Sequence, residues 1–238
     1  MNPTPSDQDP SPAAVLFDMD GTLVETEQHW GEALFALARR RGGVLSAPAR
    51  AATVGTSMRT ALDVLYADLA LPADEAAMTA DATWVEDTVA GAMAGGVQWR
   101  PGARELLAAV RAVGVPTALV TTTPRRLTDL VLGSMARSFG RVPFDVTVCG
   151  DEVPARKPDP APYLQAAGAL GVDVRCCVVV EDSVVGVTAG LASGAAVLGV
   201  PAMQVVDPAP GLVLRESLAG LGPDDLAGLL AGRATAGR

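Results

Sequence analysis

Val15-Leu-Phe-Asp-Met-Asp-Gly-Thr22 decides how the rest of this 238-residue chain is read. A short apolar run ends at Phe17, and two carboxylates, Asp18 and Asp20, follow two residues apart just before a glycine. A run of this length bounded by turn residues predicts a buried strand. Such a strand delivers both acids to the carboxyl edge of a sheet, where open α/β folds bind their ligands.

Working outward, apolar runs with β-branched residues recur at Ala13–Phe17, Pro116–Val120, Phe144–Cys149, Cys176–Val180 and Ala195–Val200. Helical patterns at Ala103–Val113, Pro124–Ser138, Ala161–Leu170 and Val184–Ser193 separate or precede the last four. This alternation predicts a parallel sheet covered on both faces. The first gap differs. Between Thr26 and Trp99 the pattern is helical throughout, at Glu27–Arg41, Ser57–Leu71 and Pro72–Met93, the last with a polar face of Asp81, Glu86 and Asp87. A helical block inserted after the first strand belongs above the aspartates, where a lid excludes water. The expected division is therefore a tail at 1–12, a core of 13–25 and 100–238, and a helical cap at 26–99. A short strand at Leu212–Leu214 and a helix after Pro223 close the chain.

The bulk numbers exclude several classes. A net charge of −9 and a pI near 4.6 argue against nucleic acid as a partner. Arg39-Arg40-Arg41 reads as the end of a helix before Gly42-Gly43, where cations suit the helix dipole. Residues Val184–Val206 carry no charge, but four glycines, Ser193, Pro201 and Gln204 interrupt them. They read as helix then strand, and no membrane association is expected. Cys149, Cys176 and Cys177 lack metal-site spacing and fit reduced, buried thiols in a cytoplasm. The first dozen residues are rich in Pro, Ser and Asp and read as a disordered tail without signal-peptide character. A monomer is the default expectation.

Four strand ends carry polar groups that a parallel sheet would gather on one edge: Asp18 and Asp20; Thr121-Thr122-Thr123; Lys157 within Arg-Lys-Pro-Asp-Pro; and Glu181-Asp182-Ser183. Lys157 is the only lysine in the chain, and Pro158 after it rules out a Gly-Lys-Ser/Thr phosphate loop. Each group alone has a bland reading as a cap or strand residue. Their conjunction points to metal-assisted phosphoryl chemistry with an aspartate nucleophile.

Asp18-Met-Asp-Gly-Thr-Leu23, Thr121, Lys157-Pro158 and Glu181-Asp182 together resemble the four signature motifs of the haloacid dehalogenase superfamily, over Ala13 to about Val206. The block at 26–99 resembles the helical cap of its β-phosphoglucomutase-like branch. The resemblance implies a doubly wound, Rossmann-like α/β core and a phosphatase acting on a small phosphorylated metabolite. It implies Asp18 as nucleophile and Asp20 as general acid and base. Mg²⁺ would be held by Asp18, the Asp20 carbonyl and Asp182, with Glu181 direct or through water. Thr121 with its loop, including Thr122, would hold the phosphoryl oxygens, and Lys157 would neutralise charge.

Relatives within the resemblance are weighed by their own residues. Asp20 argues against dehalogenation, and a cap without lysine excludes Schiff-base phosphonate chemistry. A β-phosphoglucomutase-like mutase is the alternative, but His29 stands one residue early with Trp30 in the matching place. Met58 likewise occupies the place of the mutase's cap arginine, with Arg59 one beyond. Glu25 replaces the more usual Asp of the flap. A phospho-accepting receiver or a binding module is the non-enzyme alternative; receivers are shorter and have no helical insertion. Arg59 is the expected cap-borne substrate contact, Trp30 a candidate pocket residue, and two of the three tryptophans are expected to pack the cap.

Overall fold

The computed structural model describes residues 11–236 and the side chains of residues 11–232. Most of the expected tail, residues 1–10, lies outside the described residues.

Six parallel strands form one sheet: β1 (Ala14–Phe17), β2 (Thr117–Val120), β3 (Val146–Val148), β4 (Cys177–Glu181), β5 (Ala196–Gly199) and β6 (Leu212–Leu214). Their spatial order is β3-β2-β1-β4-β5-β6. This is a doubly wound, Rossmann-like sheet with β1 at the point where the order reverses. Alternation along β1 explains its unbroken hydrophobicity. Val15 and Phe17 join a core with α5 (Ala103–Ala112), α6 (Arg125–Phe139) and α9 (Pro223–Ala236). Ala14 and Leu16 join a second core with α7 (Ala161–Leu170) and α8 (Val184–Ser193) on the opposite face. A strand buried on both faces has no position for a polar residue until its end, so Asp18 is the first one available. The Val184–Val206 stretch resolves into α8 and β5, and among the described residues no helix is long and apolar enough to cross a membrane.

Four helices lie between β1 and α5: α1 (Glu27–Arg40), α2 (Ala47–Thr53), α3 (Met58–Asp68) and α4 (Glu75–Met93). Helix α2 was not expected from the sequence. Ser46 caps it, accepting from Ala49 N at 3.3 Å, and Pro48 stands in its first turn. Asp81 departs from the expected polar face of α4. It is buried, accepting both Arg41 guanidinium bonds at 2.7 Å and the Tyr66 hydroxyl at 2.8 Å. The basic run thus ends by tying α1 to α3 and α4, and Arg40 lies over the Trp84 ring.

The insertion leaves and rejoins the core through two adjacent segments. Val24 bridges Trp99 antiparallel, Glu25 N donates to Gln98 O, and Arg100 N donates to Leu23 O. Glu25, the departure noted in the flap, pairs with Arg100 across this junction at 2.5 Å. Cys149 and Cys177 are buried free thiols, whereas Cys176 is exposed in the turn before β4, against the expectation that all three are buried.

Candidate active site

The four expected strand ends meet beneath the insertion. Lys157 Nζ donates to Asp18 Oδ1 at 2.7 Å, Glu181 Oε1 at 2.6 Å and the Val120 carbonyl at 2.9 Å. One lysine therefore serves two carboxylates from different strands, with all three groups buried. The consequences are electrostatic. Burial, then repulsion from Glu181, pushes the Asp18 carboxyl up to about 7 despite the lysine beside it. Burial alone would depress Lys157, but the two carboxylates outweigh it and raise its ammonium above the ordinary range. Asp182 is also held well above the usual carboxylate range by burial and then by Asp18.

Glu181 has both oxygens committed. Oε1 takes Lys157 and the Tyr163 hydroxyl, each at 2.6 Å; Oε2 takes Asp182 N and the Ser183 hydroxyl, each at 3.2 Å. Gly186 closes over it, since a Cβ there would fall 1.9 Å from the carboxyl carbon. Glu181 is thus held as the counter-ion beneath Lys157 by donors to both of its oxygens.

Asp20 sits in a different environment. Its Oδ1 accepts the Thr26 hydroxyl at 2.5 Å and Trp30 Nε1 at 3.4 Å. Its Oδ2 accepts the hydroxyls of Thr123 at 2.7 Å and Thr121 at 3.2 Å. No cation appears in this set. Thr121 is buried under Asp20 and also accepts from Thr123 N at 3.0 Å, while Thr122 and Thr123 face the cavity.

Asp18, Glu181 and Asp182 offer oxygens within 4.8 Å of one another. Thr22 donates to Asp182 Oδ1 at 3.3 Å. At Gly21, in the left-handed region at φ +84°, a Cβ would fall 2.2 Å from Asp182 Oδ2, so only glycine allows the two loops to meet. Three buried carboxyl groups share one ammonium, and their all-oxygen donor set suits a hard divalent cation such as Mg²⁺, which would favour their ionised forms.

Asp18, Asp20, Thr122, Lys157 and Asp182 line a cavity of about 660 Å³, open mouth included, with Glu27, Trp30, Arg50 and Met58 from the insertion opposite them. Trp30 is the tryptophan that reaches it; Trp84 packs under Arg40, and Trp99 packs against Phe139. Arg59 corrects an expectation. It lies exposed outside the cavity, bonded to Asp63 and to both oxygens of Glu75. The cap arginine facing the cavity is Arg50, on the helix the sequence did not reveal. Its only local signal was the Ser46-x-Pro48 start.

The profile of the haloacid dehalogenase-like hydrolases matches residues 12–194. The chain belongs to that family. Among haloacid dehalogenase-like proteins, it is 30% identical to hexitol phosphatase B of Escherichia coli, over 80% of this chain and 84% of that one. It is also 30% identical to a bifunctional riboflavin kinase/FMN phosphatase of Arabidopsis thaliana over 80% of this chain, which spans only 49% of that longer protein. Its fold superposes on CbbY of Rhodobacter sphaeroides, solved with xylulose-(1,5)bisphosphate, at a TM-score of 0.77 and 25% identity, covering 90% and 99% of the two chains.

Proposed function

We propose that the chain is a magnesium-dependent phosphatase of a small phosphate monoester, working through an aspartyl-phosphate on Asp18. The observation that carries this reading is the contrast between two carboxylates from one strand end. Asp18 rests on an ammonium, and Asp20 rests on three hydroxyls and an indole N–H. The ammonium compensates charge on Asp18, and the hydroxyls around Asp20 can rotate to donate to its ionised form or to accept from its acid form. The phosphatase names among the relatives support the same class of reaction.

Unaided phosphate monoester hydrolysis is slow enough that catalysis must supply on the order of 20 kcal/mol. Asp18 attacks phosphorus, the bond to the ester oxygen breaks, and Asp20 gives that oxygen its proton. Asp20 is then ionised and takes a proton from the water that attacks the phosphoryl group, freeing Asp18 and inorganic phosphate. Lys157 offsets charge on Asp18 and the phosphoryl oxygens, and Thr122 with its loop is positioned to hold them. Asp18, Asp182 and the Asp20 carbonyl would hold the magnesium, which when bound screens the carboxylates and phosphate from one another. Residues 26–99 act as the cap that excludes water from the cavity. A cytoplasmic monomer belongs to the same reading.

The test is phosphate release from a panel of small monoesters, with and without Mg²⁺, beside Asp18→Asn. Turnover should need the metal and vanish in the variant; an active Asp18→Asn protein would end the reading. Isomerisation of β-glucose phosphate would instead favour the mutase.

A further inference from the structure

The cap side of the cavity carries an ion pair of its own. Arg50 Nη2 donates to Glu27 Oε2 at 3.1 Å and to the Glu27 carbonyl at 3.0 Å, and Nη1 donates to the Thr53 hydroxyl at 3.0 Å. Glu27 Oε1 accepts from Gly55 N at 3.3 Å. The two side chains are 10% and 7% exposed, and both line the cavity. Arg50 therefore faces the substrate space already neutralised. The other lining cation, Lys157, is shared between Asp18 and Glu181. Against these two stand four lining carboxylates, those of Asp18, Asp20, Glu27 and Asp182.

Resting on the phosphatase reading, we infer that the Glu27–Arg50 pair selects monophosphates of neutral alcohols and rejects esters whose leaving group bears a second anion. The phosphoryl group is committed to Asp18, so the leaving group projects toward the insertion. A phosphate or carboxylate there meets Glu27 as a like charge. An anion that approaches Arg50 must share it with Glu27, which sets two negative groups side by side on one buried cation. A neutral polyol has no such conflict. Its carbon faces lie against Trp30, Leu34 and Met58, and the Thr53 and Thr56 hydroxyls border the same space. Arg59, outside the cavity and committed to Asp63 and Glu75, supplies no second anion site.

The experiment compares kcat/KM for sorbitol phosphate, fructose bisphosphate and phosphoglycolate in the wild type and in Glu27→Gln. That substitution keeps the side chain's size while releasing the Arg50 charge. The wild type should favour sorbitol phosphate by about tenfold or more, and Glu27→Gln should narrow that ratio by about tenfold, chiefly through KM for the doubly anionic esters. Equal wild-type turnover of the three, or an unchanged ratio in a folded Glu27→Gln, overturns the selectivity while leaving the phosphatase intact. Inertness toward all three and toward p-nitrophenyl phosphate removes both readings. Should Glu27→Gln not fold, inhibition of wild-type p-nitrophenyl phosphate hydrolysis decides. Fructose bisphosphate should inhibit more weakly than sorbitol phosphate, and equal or stronger inhibition overturns the inference.

Discussion

The Lys157 ammonium stands 2.7 Å from Asp18 Oδ1, across 139 positions of sequence. Since the same ammonium also holds Glu181, removing it strands two buried carboxylates. Lys157→Ala should lose turnover by orders of magnitude and also lose about 3–5 kcal/mol of stability at neutral pH. Urea unfolding of the variant tests the second half. An unchanged midpoint would show that Asp18 and Glu181 do not depend on the lysine.

Asp18→Asn should behave in the opposite way. It removes a carboxylate that burial and Glu181 already disfavour, and its amide can still accept from Lys157. The metal-free variant should therefore melt a few degrees above the metal-free wild type at about pH 8, while showing no turnover. Calorimetry of both proteins in chelator checks this, and a lower variant Tm would argue against the electrostatic account.

Protons and magnesium should compete at Asp18. Its folded pKa of about 7 lies above the unfolded value, so between about pH 4 and pH 7 the native protein binds more protons than the unfolded chain. Metal-free stability should accordingly fall as pH rises through that window. Magnesium needs the ionised oxygens, so the Tm increment it gives should be larger at about pH 8 than at about pH 5.5. Equal increments at the two pH values would contradict a site built on Asp18.

Asp145 should give the reverse sign. The Arg111 guanidinium at 2.9 Å and the Thr117 N–H at 2.9 Å hold its carboxyl below the ordinary value. Its contribution is complete above the unfolded pKa and disappears as pH falls through the folded one. Asp145→Asn should flatten the Tm profile below about pH 4.5 relative to wild type. A variant profile parallel to wild type would refute the linkage.

The core was legible because its strands are buried on both faces and bounded by glycine, proline and polar residues. The strand ends after β1, β2 and β4 and the loop carrying Lys157 follow from that reading, as does their meeting on one sheet edge. The insertion was less legible. Helix α2 has only seven residues, too few to show an apolar period that would place Arg50 and Thr53 on a helix face. Arg59 was favoured by its nearness to the cap loop, but helical geometry turns it outward onto Asp63, four residues along the same helix. Tyr163 gave no local signal either. Its hydroxyl matters only because α7 lays it beneath Glu181.

The insertion leaves and rejoins the sheet through one narrow doorway at Val24 and Trp99. Its backbone enters and exits through neighbouring bonded segments. In the proposed reading, recognition rests mainly on the insertion and reaction on the strand ends, two pieces of chain that can diversify at different rates. A lineage could trade one roof for another and inherit the old chemistry with a new diet.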